Sequence, residues 1–354
     1  MRVASPSAAT RGPRPYPAFV STPRILAGFV PHLYRIQTFA AEDAVMSEPW
    51  RLLAALLLLL LPVAACTRPD RPELPDGSHT HTITVDGRER AYRTYRPAAL
   101  PDGQVPLVLV LHGGAGSGAQ AERSYGWDAR ADRDGFVVVY PDGVNRSWNA
   151  GPGCCGPATR DGVDDVAFLE AVVAETGRGV PIDPARVRAA GMSNGAMMAY
   201  RLACDSTVVT AIAPVAGIVI GDCPSPAPVS VIHIHGTEDH SVPWSGGPGK
   251  RDNNGTGRVP IRIDGPPVPD LVAGWRDRAG CPPPAVHITG AVTTTTADCP
   301  GGRVIELVSV AGAGHQWPGA TRSGATAERL LELDPPSGAL DATATIADFF
   351  SALT

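Results

Sequence analysis

The 354-residue sequence has no dense basic stripe, no internal repeat, no CxxC pair and no histidine cluster at ligand spacing. Each absence removes a class. Without a basic stripe, and at a net charge of −5 with pI near 6.0, nucleic acid is not an expected partner. Zinc lacks ligands at the usual spacing, and no other metal or cofactor is called for. The Gly-rich segment from Gly113 to Gly118 is not followed by Gly-Lys-Ser/Thr and lacks dinucleotide spacing, so a phosphate cradle is a weak reading. What remains is a chain that is 44% hydrophobic with 39 glycines and 36 prolines, enough for one large core or two small ones joined by loop-rich connections.

The apolar run Leu52 to Ala65, preceded by Arg51 and followed by Cys66, is too short to span a bilayer comfortably. Small residues leading into cysteine, Val63-Ala-Ala-Cys66, resemble a bacterial lipoprotein processing box, which makes Cys66 the expected lipidation site; an ordinary cleaved signal is the alternative. A signal should start near its charged end, and Met46 offers that start. The expected organisation is a leader or gene-model extension over residues 1–45, a signal peptide over 46–65, a Pro- and charge-rich tether over 66–78 and a catalytic domain over 79–354. The expected location is outside the cell membrane, lipid-anchored to its outer face through Cys66 or secreted, and the expected state is a monomer.

With Cys66 set aside, six of seven cysteines remain, an even number that implies disulfides in an exported chain. Proximity favours Cys204 with Cys223 and Cys281 with Cys299. That leaves Cys154 and Cys155 as a vicinal pair.

Period-two patterning over His79–Val85 and Arg88–Tyr95, broken by Asp86-Gly87, predicts a hairpin. The runs Val105–Leu111 and Gly135–Tyr140 predict strands buried on both faces. Helical spacing within Asp161–Glu175 follows, then strand Arg186–Ala190, helix Ala196–Ala203 and strands Thr210–Ala216 and Val229–His235. A helix near Leu271–Arg278, strand Val304–Val310 and a final helix around Leu340–Leu353 complete the series. This alternation predicts a single α/β domain with a mostly parallel central sheet, helices on both faces and an N-terminal antiparallel hairpin. Ser245 to Pro269, rich in Gly, Pro and Asn, reads as a long insertion that could rim the site.

Between strand and helix stands Gly191-Met-Ser-Asn-Gly195. Glycines two residues before and after a serine suit a tight elbow that pushes its hydroxyl outward; a helix cap is the other reading of Ser193. A nucleophilic serine needs a base and an acid, here expected in the chain order Ser, Asp, His. Asp239 and His315 each lie just past the end of a predicted strand, with Glu238, Asp222 and His240 as rivals. Backbone N–H groups of Asn194, after the serine, and of Gly114, after the first central strand, are the expected oxyanion donors.

The segments LHGG, YPDG, SWNAGPGCCGP, VDDVAFL, GMSNGAMMAYRLAC, APVAG, HIHGTEDHSVPW and GHQWPG occur in that order from about Tyr92 to Phe350. Together they resemble the polyhydroxybutyrate depolymerase and feruloyl esterase-like lipoprotein esterases of the α/β-hydrolase superfamily. The resemblance implies that fold, Ser193, Asp239 and His315 as the triad, and Trp148 near the substrate. Two departures stand out: the acid loop reads EDHSVPW where relatives commonly have a small residue before the Asp and end in tyrosine, and an insertion surrounds Lys250. Trp148 and Trp317 flank the predicted catalytic loops and are expected to offer an aromatic wall, with plain core packing as the alternative reading of each.

An exported serine ester hydrolase is therefore expected, acting on short acyl, hydroxyalkanoate or hydroxycinnamoyl esters. No Arg or Lys lies beside the triad motifs, which favours neutral small or oligomeric esters. A cell-envelope acyltransferase on the same triad and a non-catalytic binding lipoprotein are the alternatives.

Overall fold

A computed structural model describes residues 73–322 and 334–353. The leader, the signal segment and Cys66 lie outside them. Asp86 and Gly87 both take positive φ, 50° and 72°, the turn geometry that closes a two-residue hairpin between β1 (Gly77–Val85) and β2 (Arg88–Arg96). The expected tether ends sooner than position 78: β1 starts at Gly77, and Leu74 is buried with its N–H donating to Gly179 O at 2.9 Å.

In β3 (Val105–Leu111) successive side chains enter different apolar clusters, Leu107, Leu109 and Leu111 on one face and Val108 and Val110 on the other. Side chains alternate across a strand, so a strand apolar at nearly every position must be covered on both faces. β4 (Val137–Pro141), β5 (Ile182–Met192), β6 (Ala211–Val215) and β7 (Ser230–Gly236) are buried in the same way over most or all of their length. Two residues each, β8 (Gly247–Pro248) and β9 (Asp264–Gly265) pair within the insertion. β10 (Ala285–Thr289), β11 (Val292–Cys299) and β12 (Arg303–Val310) follow.

Among the described residues ten strands make one sheet, in the order β1-β2-β4-β3-β5-β6-β7-β12-β11-β10. The central pairings from β4 through β12 are parallel. Helices α1 (Gly118–Tyr125) and α2 (Trp127–Asp134) cover the Val108 face. α3 (Gly156–Arg160) is a single short turn of helix; α4 (Asp165–Gly179), α5 (Asn194–Asp205) and α6 (Val268–Ala279) cover the Leu107 face. α7 (Ala342–Ala352) returns to the first face through Ile346 and Phe350. Each fully buried Leu, Val or Phe contributes roughly 1.5–3 kcal/mol against exposure, so the two faces together hold the sheet.

The structure adds a second antiparallel hairpin, β10 with β11, at the far edge. Every residue of β10 is exposed, with Val286 and Ile288 at 63% and 67%, so its sequence carries no core-facing alternation to read. All three expected cystines are present: Cys204–Cys223, Cys281–Cys299 and Cys154–Cys155.

Candidate active site

The site is assembled at the carboxyl ends of β3, β5, β7 and β12, where loops of a parallel sheet converge. At the end of β5, Ser193 adopts φ 55° and ψ −118°, a conformation that L residues rarely hold. Close packing enforces it. A Cβ on Gly191 would lie 2.3 Å from Gly195 O, and one on Gly195 would lie 2.3 Å from Leu111 O. The Ser193 hydroxyl makes no cap on α5, so the cap reading fails.

The acid and histidine loops are laced together. Thr237 N–H donates to Val310 O at 3.1 Å, Glu238 N–H to Ala313 O at 3.0 Å, and Gly312 N–H to Thr237 Oγ1 at 3.0 Å. These bonds bring Asp239 to His315, whose Nδ1–H donates to Asp239 Oδ2 at 2.7 Å. With that proton on Nδ1, the Nε2 lone pair accepts from the Ser193 hydroxyl at 2.8 Å. Glu238, His240 and Asp222 are exposed and stand outside this line.

Asp239 is 3% exposed, and burial alone would push its carboxyl up. Hydrogen bonds from His235 and His315 outweigh burial and hold it well below the usual carboxylate range. Its Oδ1 also accepts from the N–H groups of Ser241 and Val242, each at 2.8 Å.

Gly113 C=O and Gly114 N–H belong to one peptide plane and point in opposite directions. The carbonyl is held from two sides: Gly116 N–H donates to it at 2.9 Å and His112 Nδ1–H at 2.8 Å. The His112 tautomer follows from its other nitrogen, Nε2, which accepts from Gly143 N–H at 3.0 Å. Burial keeps this ring neutral, lowering its pKa. Asn194 turns its side chain away to the Trp148 backbone, accepting from Trp148 N–H at 2.7 Å and donating to Trp148 O at 3.0 Å. Its own backbone N–H stands in the first turn of α5, where intrahelical partners are missing.

Both tryptophans depart from expectation. Trp148 is fully buried, its indole N–H donating to His112 O at 2.8 Å, and Trp317 is 1% exposed, stacked on Tyr125 at 4.4 Å. Large rings gain most by complete burial, and here they brace the loops from behind instead of walling the site.

Two residues hold roles that no local pattern marks. His112 stands in the LHGG segment, where the glycines carry the pattern. Asp334 had no local signal at all, yet its Oδ2 accepts from His315 N–H at 2.6 Å and fixes the histidine backbone. The insertion also gains a definite place. Arg262 N–H donates to Gly153 O, Gly156 N–H to Pro260 O and Lys250 N–H to His240 O, so it joins the cystine loop to the acid loop. Ile263, Val242, Met197 and the Cys154–Cys155 pair form a small apolar cluster beneath it.

Residues 90–244 match the family described as esterase PHB depolymerase. "Putative esterase NocK" of Nocardia uniformis subsp. tsuyamanensis is 33% identical over 277 residues, covering 71% of this chain and 77% of that protein. The chain belongs to the PHB depolymerase esterase family. Feruloyl esterase B of Piromyces equi is 28% identical over 231 residues, 60% of this esterase but 40% of the relative. Feruloyl esterase C of Emericella nidulans is 29% identical over 212 residues, 55% and 72% of the two chains. Among solved structures, an acetyl xylan esterase from Aspergillus awamori superposes with a TM-score of 0.51 at 15% identity, covering 72% of this chain and 99% of that one. That likeness concerns the α/β-hydrolase fold. The family makes the protein a carboxylic-ester hydrolase.

Proposed function

We propose that the esterase cleaves short-chain acyl, hydroxyalkanoate or hydroxycinnamoyl esters through an acyl-enzyme on Ser193. The observation that carries this reading is the unbroken line from Ser193 Oγ through His315 to Asp239, with contacts of 2.8 and 2.7 Å. His315 takes the serine proton as Oγ attacks the ester carbonyl, then returns it to the leaving alcohol. Water repeats the steps to release the acid. Asp239 holds the imidazole and offsets the charge it gains. The developing oxyanion is received by the N–H groups of Gly114 and Asn194, fixed before the reaction begins.

Ser193 and His315 are half-buried and Gly114 is exposed. An open site of this kind suits bulky esters, such as the feruloyl and acetylxylan esters in the relatives' names. It also admits water, which favours hydrolysis over acyl transfer to a sugar. Three cystines fit an oxidising compartment, consistent with export and with anchoring at Cys66.

The test is fluorophosphonate labelling with peptide mapping, followed by a panel of acetyl, butyryl, hydroxybutyryl and feruloyl esters and long-chain triglycerides. Labelling at Ser193, loss of turnover in Ser193→Ala and preference for the short and feruloyl esters are expected. Labelling at another serine, or activity confined to the triglycerides, overturns the reading.

A further inference from the structure

Behind Asp239 lies a second line of polar groups that the acyl-transfer steps leave unused. In β7 the sequence Ser230-Val-Ile-His-Ile-His235 places His233 and His235 on one face of the strand, while Ile232 and Ile234 enter the apolar cluster on the other. Both histidines are buried, 0% and 1% exposed. Polar rings in such a core need partners.

Those partners form a directed chain. His235 Nε2 lies 2.8 Å from Val242 O, a group that can only accept, so Nε2 carries the proton. His235 Nδ1 is then an acceptor, and His233 Nε2–H donates to it at 2.9 Å. His233 Nδ1 accepts in turn from the Tyr200 hydroxyl at 2.7 Å. Each ring nitrogen in the series thus has one role, as donor or as acceptor. Burial supports the same assignment, holding His233 neutral and Tyr200 protonated.

The two ends of this chain are informative. His235 Nε2 also faces Asp239 Oδ2 at 3.4 Å, the oxygen that receives the His315 N–H. Its main acceptor, Val242 O, belongs to the residue whose N–H holds Asp239 Oδ1. His235 thus closes the returning end of the acid loop and faces the carboxylate as well. Tyr200, at the other end, lies on α5, the helix that starts directly after Ser193. A continuous circuit runs from Ser193 along α5 to Tyr200, His233, His235 and Asp239, and back through His315.

We propose that His235, fixed as its Nε2–H tautomer by His233 and Tyr200, is a positioning residue that sets the Asp239 carboxylate for His315 and ties the nucleophile's helix to the acid loop. The proposal rests on the triad reading above. A glutamine can place its amide N–H near the position of the imidazole Nε2–H; a leucine fills the space without a donor. Loss of the donor leaves Val242 O buried without its partner and releases the loop. Tyr200→Phe removes only the far anchor of the chain, with little change in volume.

The experiment compares His235→Leu, His235→Gln and Tyr200→Phe at matched fractions folded, reading kcat, KM and the low-field proton resonance of the His315–Asp239 hydrogen bond. Misorienting one triad member is expected to lower kcat about 100-fold in His235→Leu with KM within about twofold, and glutamine should restore it to within about tenfold of wild type. The low-field resonance should be lost or broadened in the leucine variant and kept in the glutamine one. Tyr200→Phe should lower kcat about fivefold, and this variant decides the matter if His235→Leu does not fold. Equal losses in His235→Leu and His235→Gln, wild-type kcat in His235→Leu, or wild-type kcat and resonance in Tyr200→Phe overturn the proposal. Fluorophosphonate mapping of the wild type separates the two readings: labelling away from Ser193 removes the triad, whereas labelling at Ser193 with no effect of these variants removes only the positioning role.

Discussion

His112 Nδ1 stands 2.8 Å from Gly113 O, and through the shared peptide plane this contact sets the direction of the Gly114 N–H. Substituting His112 by alanine leaves Gly116 N–H as the remaining clamp on that carbonyl. If Gly114 is an oxyanion donor, its loosening acts on the transition state more than on bound substrate. Turnover in His112→Ala is expected to fall about 10- to 100-fold with little change in KM, short of the 10²–10³ typical for deleting a donor outright. Steady-state kinetics on a short acyl ester check this, and a rise in KM with unchanged kcat would contradict it.

Asp239→Asn tests the opposite end of the line. An amide in place of the carboxylate favours the wrong His315 tautomer, and a loss of about 10⁴ in kcat is expected. The same substitution has a pH signature. The native carboxyl sits below its unfolded value despite burial, because hydrogen bonds from His235 and His315 outweigh that burial. A depressed carboxyl stabilises the fold fully above the unfolded value, about pH 4, and its contribution is lost as pH falls below that. Acid melting curves should therefore be flatter for Asp239→Asn than for wild type.

The parts of this site legible in sequence are those carried by short local patterns. GMSNG announces its elbow because steric demands lie within five residues, and strands such as Val105–Leu111 announce themselves because both faces are apolar. The order Ser, Asp, His could be read because each residue follows a recognisable strand. Asp334 could not be, since it reaches His315 N–H from nineteen positions away through a fold no local pattern encodes. Nor could β10 and its exposed residues, which lack core-facing periodicity. The tryptophans failed for a related reason: sequence placed them beside catalytic loops but not on a side of them.

Trp148 provides a direct check on that correction. Its ring is buried and its indole N–H holds His112 O at 2.8 Å. Trp148→Phe removes this bond and part of the packing, so a loss of about 1–3 kcal/mol in stability is expected. The ranking of feruloyl against acetyl esters should stay as in wild type, because no aromatic face is withdrawn from substrate. A selective loss of feruloyl turnover would return Trp148 to the substrate wall.

Cys204, on α5, is bonded to Cys223 across a separation of 19 residues. Closing a loop of this length restricts the unfolded chain, and the double substitution Cys204→Ala with Cys223→Ala should cost roughly 2–4 kcal/mol. Denaturant titration measures that directly. Ser193 lies at the other end of α5, so turnover per folded molecule should change little; a large loss of kcat at full folding would mean that the cystine also orders the elbow.

Asp128 gives the last prediction, and its sign is opposite to that of Asp239. It occupies the first turn of α2, where its Oδ1 accepts from the Tyr140 hydroxyl at 2.6 Å. Burial raises its pKa, the Tyr140 bond opposes that, and the neighbouring Glu122 and Asp132 add to the rise, carrying it to about 6. A carboxyl raised on folding favours the native state below its unfolded value, near pH 4, and that advantage is lost as pH climbs through about 6. Asp128→Asn keeps an oxygen for the tyrosine but cannot ionise. The melting temperature of this variant should therefore rise relative to wild type between about pH 4 and pH 6, the gap widening across that window and levelling off above it. Parallel curves across that range would mean that the Asp128 carboxyl is not raised in the folded protein.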